Sequence, residues 1–68
     1  MNWKIKMIFE TLAITMPTEK EVEFVTNVMD GGKTDNIDRA NNICAFVNEQ
    51  GKEKLVYEKL CVLSAIRS

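Results

Sequence analysis

The feature that most constrains the fold is the segment Pro17-Thr18-Glu19-Lys20-Glu21, because it predicts where a helix begins. Proline cannot continue the element before it, since its backbone nitrogen carries no hydrogen. Thr18 followed by Glu21 matches a capping box, in which the hydroxyl accepts a hydrogen bond from a free backbone N–H and the carboxylate reaches back. A helix is therefore expected directly after Thr18.

Two amphipathic helices are predicted downstream of Pro17. The first should end at Gly31, which can adopt the left-handed conformation that closes a helix, although its valines would also suit a strand. The second should be capped by Thr34 or Asp35 and stopped by Gly51. The predicted apolar faces comprise Val22, Val25, Val28 and Met29 on the first helix and Ile37, Ala40, Ile43, Cys44 and Val47 on the second.

The first segment, residues 3–16, carries two competing patterns. Apolar and lysine side chains alternate at its start, from Trp3 to Phe9, which favours a strand that is bent or folded into a hairpin. The same segment also places apolar residues at helical spacing, so an N-terminal helix remains a competing interpretation. The residues of that helical face are Ile5, Ile8, Phe9, Leu12 and Met16.

The last segment, LVYEKLCVLSAI at residues 55–66, is apolar on almost every side whether it is wound or extended. Its content of Val, Tyr, Cys and Ile favours a strand that is covered on both faces. The sequence therefore predicts a single α+β domain over residues 1–68, with an N-terminal strand region, two helices and a C-terminal strand. An all-α four-helix domain is the alternative.

Cys44 and Cys61 are the only cysteines of the chain, and each occupies a position where a small apolar residue is expected. A zinc site needs four ligands, whereas the chain has two cysteines and no histidine. A catalytic thiol needs an activating histidine or a cationic setting, and neither is apparent. Both cysteines are therefore predicted to be reduced and buried, with no metal and no cofactor.

Gly32-Lys33-Thr34 is similar to the end of a nucleotide-binding P-loop. The first glycine of that motif would fall at Asn27, however, and the preceding element is a predicted helix where the motif requires a strand. Gly31 and Gly32 are better explained as a helix stop. Since the chain also lacks a cofactor motif and a pair of nucleophile and base, no enzymatic activity is expected.

The charge balance argues against a nucleic-acid partner, because nine basic and ten acidic residues give a net charge of −1. A nucleic-acid-binding regulator is the alternative function, with a helix over residues 34–50 in a groove and Lys33, Arg39 and Lys52 contacting phosphates. Glu10 interrupts the N-terminal apolar stretch, and no apolar run approaches the roughly 20 residues that cross a bilayer. A cytoplasmic protein without membrane contact is expected.

Arg39-Ala40-Asn41 and the stretch AFVNEQG at residues 45–51 resemble a helix in the small anti-sigma proteins of T-even bacteriophages. The resemblance implies a phage or mobile-element protein that binds a host protein. It implies no role for an individual residue.

A chain of 68 residues buries a small part of its unfolded surface, so its core is expected to need support from a partner. The first and last segments also carry more apolar side chains than so small a fold can cover. The sequence therefore predicts a non-enzymatic adaptor or inhibitor that binds a protein partner and forms a homo-oligomer. Trp3 and Tyr57 are the predicted interaction residues, because Trp and Tyr are frequent at binding hot spots; the alternative is that both complete the core of a monomer.

Overall fold

The structure, a computed structural model, describes residues 1–51 and 58–68. Within these residues the chain forms four α-helices and no strand. The helices are α1 (Trp3–Thr11), α2 (Glu19–Asp30), α3 (Asn36–Glu49) and α4 (Glu58–Arg67). The predicted α+β class with strands at both ends is therefore wrong, and the fold corresponds to the all-α alternative.

The four helices form a ring around one apolar core. Helix α1 packs beside α2 and α4, and α3 packs beside the same two helices, so α1 and α3 lie across the core from each other. Every helix contributes to the core, as does the turn after α1. The buried core residues are Ile5, Ile8, Phe9, Leu12, Ile14, Val25, Ala40, Ile43, Val47, Val62, Ala65 and Ile66.

Helix α1 replaces the predicted N-terminal strand. Its first turn is capped by Asn2, whose side-chain oxygen accepts a hydrogen bond from the backbone N–H of Ile5 at 2.9 Å. Four of the five residues on the competing helical face are buried, whereas Met16 is 87% exposed. The N-terminal segment forms a helix because successive turns place large apolar side chains in the core. An isolated pair of strands, by contrast, has marginal stability in water.

The end of α1 is a Schellman motif built without glycine. The N–H of Ala13 bonds to the carbonyl of Glu10 at 3.0 Å, and the N–H of Ile14 bonds to the carbonyl of Phe9 at 2.9 Å. Ala13 adopts the left-handed conformation with φ of 58°. Phe9 and Ile14 are both buried, which is the apolar pairing that accompanies this motif. The turn redirects the chain toward Pro17 and α2.

The predicted capping box at the start of α2 is confirmed. The hydroxyl of Thr18 accepts from the N–H of Glu21 at 3.1 Å, and the carboxylate of Glu21 accepts from the N–H of Thr18 at 2.8 Å. The helix ends at Asp30 as expected, but Gly31 has φ of −67°. The prediction of a left-handed Gly31 is therefore wrong.

Helix α3 follows its prediction closely. Asp35 caps it by accepting a hydrogen bond from the N–H of Asp38 at 2.9 Å, and Gly51 follows its end with φ of 76°. Gly51 thus ends the helix as predicted, and it does so in the left-handed conformation. On the predicted apolar stripe, three residues are buried and Cys44 is half-buried, whereas Ile37 in the first turn is 52% exposed.

Helix α4 replaces the predicted C-terminal strand from residue 58 onward, and residues 55–57 of that prediction lie outside the described residues. The buried side chains are Val62, Ala65 and Ile66, at the helical spacing that a strand would split between two faces. The composition favoured a strand, but β-propensity reflects packing more than the backbone. Packing against α1 and α3 therefore decides the conformation here.

Candidate protein-interaction surface

Helices α1 and α4 run antiparallel. The ammonium group of Lys4, in the first turn of α1, donates to the carbonyl of Ile66 at 2.9 Å and to the main-chain oxygen of Ser68. At the other end of α1, Thr11 lines the same groove as Cys61 near the start of α4. The two helices therefore pass each other with the first turn of one beside the last turn of the other.

A shallow groove of about 460 Å³ follows this pair of helices. None of its lining side chains carries a formal charge, and several are small. They are Met7 and Thr11 on α1 and Cys61, Ser64, Ala65 and Ser68 on the α4 side. Small side chains at a groove floor allow another chain to approach the helix backbones closely.

Two exposed apolar side chains flank this groove. Trp3 is 61% exposed and lies four residues before Met7, on the same face of α1; Leu60 is 68% exposed and lies four residues before Ser64, on the same face of α4. Because the helices are antiparallel, Trp3 and Leu60 stand at opposite ends of the groove. We call Trp3, Met7, Thr11, Leu60, Cys61 and Ser64 the α1–α4 surface.

Lys4 links Trp3 to the end of α4. Its ammonium group lies 5.3 Å from the centroid of the Trp3 ring, within the range of a cation–π interaction. The same group bonds to carbonyls in and after the last turn of α4, where the helix dipole favours a cation. Lys4 therefore has a structural role and is not a freely solvated lysine.

In the described part of the chain, the charged side chains are divided unequally between the two pairs of helices. Helices α1 and α4 together carry four basic and two acidic side chains, a net charge of +2. Residues 18–51, which include α2 and α3, carry three basic and seven acidic side chains, a net charge of −4. The α1–α4 surface thus belongs to the positive half of the molecule.

The structure places only one of the two predicted interaction residues. Trp3 is exposed on the α1–α4 surface, whereas Tyr57 lies outside the described residues. Leu60 was missed because the predicted strand was expected to be covered on both faces. In a helix, Val62, Ala65 and Ile66 form the buried stripe. Leu60 lies outside this stripe, which indicates that it is exposed.

Cys44 and Cys61 are both half-buried, where full burial was predicted. Cys44 packs against the apolar core. Cys61 instead lines the α1–α4 groove. Within residues 1–51 and 58–68, no group of three or more metal-ligating side chains comes together.

Of the three residues expected to contact phosphates in a nucleic-acid regulator, the structure describes Arg39 and Lys33. The guanidinium group of Arg39 donates to the carbonyl of Gly31 at 2.8 Å and to the side chain of Asn36 at 3.0 Å, so it fastens the loop before α3. Lys33 is exposed in that loop, and Lys52 lies outside the described residues. The loop with Gly32-Lys33-Thr34 follows α2, whereas a P-loop follows a strand.

A second groove, of about 420 Å³, lies between α2 and α3. Its walls include Phe24 and Phe46, whose rings stack with centroids 4.0 Å apart and planes inclined by 6°. Both rings are half-buried and pack against the core. Most of their apolar area is thus used within the fold, in contrast to Trp3 and Leu60.

Comparison with known proteins identifies no relative of this chain. The chain matches no protein-family model, and no curated protein or solved structure is significantly similar to it. None of the described helices is both long and apolar enough to cross a membrane.

Proposed function

We propose that this chain is a non-enzymatic protein-binding domain, an adaptor or inhibitor, that acts in the cytoplasm through the α1–α4 surface. The observation that carries the proposal is the exposure of Trp3 and Leu60 at opposite ends of a groove that no charged side chain lines. Tryptophan in such a setting is typical of a binding hot spot, and grouped exposed apolar side chains mark interaction sites.

The other exposed apolar residues support the proposal less. Met1 precedes the cap of α1, Met16 lies in the turn before Pro17, and Ile37 stands alone in the first turn of α3. Single apolar side chains on a surface are common and need no partner. Among the residues that the structure describes, Trp3 and Leu60 stand on the two helices that form a groove without charged lining side chains.

The division of charge favours a different protein as the partner. In a two-fold homodimer through the α1–α4 surface, the positive halves of two copies would face each other. Self-association, which the sequence predicts, is the competing outcome. It is recognised by a molecular mass in light scattering that rises with concentration and falls in a variant of this surface.

The proposal is tested by affinity capture from a lysate of the source organism with two matched bait variants. Trp3→Ser with Leu60→Ser alters the α1–α4 surface, and Met16→Ser with Ile37→Ser alters equally exposed residues elsewhere. A protein retained by the wild type and the second variant, but not by the first, is the expected result. Equal retention by both variants contradicts the proposal, provided that circular dichroism shows both to be folded.

A further inference from the structure

We propose that the occupant of the α1–α4 surface is an acidic amphipathic helix of the partner protein. This inference rests on the proposed function and adds the chemistry of the partner. It is carried by the spacing of Trp3 and Leu60, by the neutral groove between them and by the positive charge of the helices that form it.

The dimensions of the surface fit one face of a helix. Trp3 and Thr11 are the first and last residues of α1, and at about 1.5 Å rise per residue they are about 12 Å apart along the axis. Leu60 stands at the Thr11 end of the groove, so a similar distance separates it from Trp3 along the groove. Apolar residues of a ligand helix at positions i and i+7 or i+8 are about 10 to 12 Å apart and would reach both.

The centre of the groove suits a third apolar residue of the same ligand. A side chain midway between the two outer positions, at i+4, would enter between Met7 and Cys61, over the small side chains of Ser64 and Ala65. Apolar residues at i, i+4 and i+7 are the pattern by which amphipathic helices occupy grooves. The three contacts would therefore come from one stripe of the ligand.

The charge of the ligand follows from the exposed ions around the groove. Arg67, in the last turn of α4, is exposed at the Trp3 end of the groove, whereas Lys6 and Glu10 of α1 line a pocket on another side of that helix. Lys4 adds its charge at the end of the groove while it remains bonded to α4. Acidic residues that flank the apolar stripe of a ligand would meet this positive field, which raises the association rate and discriminates against basic ligands.

A synthetic helix provides the probe. The acidic probe is a peptide of about 18 residues, long enough for partial helicity, with leucine at i, i+4, i+7 and i+11, glutamate and alanine elsewhere, and no aromatic residue. The matched probe has lysine at every glutamate position. Trp3 is the only tryptophan of the chain, so its fluorescence reports directly on this surface.

The acidic peptide is expected to shift the Trp3 emission to shorter wavelength in a saturable manner, because the ring leaves water. The lysine peptide should bind with an affinity at least roughly tenfold lower than that of the acidic peptide. Added salt should lower the affinity of the acidic peptide and reduce the difference in affinity between the two peptides. Equal binding of the two peptides, or none by the acidic one, overturns the inference. A shift that depends on protein concentration alone also overturns it, because the occupant is then a second copy.

Two single substitutions locate the binding. Ser64→Glu places a negative charge in the groove at an exposed helical position where glutamate is well tolerated. Asn42→Glu makes the same change in charge on the exposed face of α3. Ser64→Glu should lower the affinity for the acidic peptide at least roughly tenfold, and Asn42→Glu should leave it nearly unchanged. Equal effects would overturn the inference.

The outcome separates this inference from the proposed function. If the acidic peptide fails but capture from lysate still depends on Trp3 and Leu60, the surface binds a protein of other chemistry. If a single-stranded oligonucleotide binds in place of the peptide and Ser64→Glu prevents it, the partner is a nucleic acid, and both proposals are wrong.

Discussion

At the scale of single residues, Ala13 is the clearest departure from what its local structure favours. It closes the Schellman motif at the end of α1 with φ of 58°, a conformation that glycine adopts without a steric penalty. The side chain of Ala13 is exposed, so little packing compensates for the strain. The sequence carries no recognisable stop for α1 here, because the usual residue at a left-handed helix end is glycine.

Ala13→Gly is predicted to raise the free energy of unfolding by about 0.5 to 1 kcal/mol, because the relief of left-handed strain exceeds the added entropy of the unfolded chain. Urea denaturation measures the change. Ala45→Gly, at an exposed position inside α3, is the matched control and should lower stability by about 1 kcal/mol. A loss of stability in both variants would show that Ala13 is not in the left-handed conformation.

At the scale of the helices, polar caps made α2 and α3 predictable from sequence. Thr18 with Glu21 and Asp35 each mark a helix start through side-chain hydrogen bonds that are local in sequence. For α1 and α4 the decisive contacts are distant in sequence. The helical spacing of Ile5, Ile8, Phe9 and Leu12 can be recognised in the sequence. Whether the segment forms a helix or a strand, however, depends on its packing against α4.

Lys4 is predicted to hold the last turn of α4 against α1. Lys4→Met keeps the aliphatic stem but removes the ammonium group that bonds to the main-chain oxygens of Ile66 and Ser68. Stability should fall by about 1 kcal/mol, and amide exchange in the last turn of α4 should accelerate.

Lys6→Met is the control for this change, because Lys6 is an exposed lysine on another side of the same helix. If the two variants lose equal stability, the bonds from Lys4 to α4 contribute nothing. If amide exchange near the end of α4 accelerates only in Lys4→Met, the hydrogen bonds from Lys4 hold the last turn of α4 against α1.

At the scale of the whole molecule, the candidate site depends on an arrangement that the sequence did not reveal. Trp3 was predicted as an interaction residue from its type alone. The groove beside it requires α1 and α4 to be helices and to pack antiparallel, which brings Met7 next to Cys61 and Ser64. The division of charge likewise emerges only when α1 is placed beside α4 and α2 beside α3.

The most direct test of the account is to map the acidic peptide on the isotope-labelled protein by two-dimensional NMR. Amide shifts should change along the outer faces of α1 and α4, around Trp3, Met7 and Ser64, while amides near Phe24 and Phe46 in the groove between α2 and α3 stay unchanged. Shift changes centred on that second groove, or spread evenly over all four helices, would contradict the assignment of binding to the α1–α4 surface.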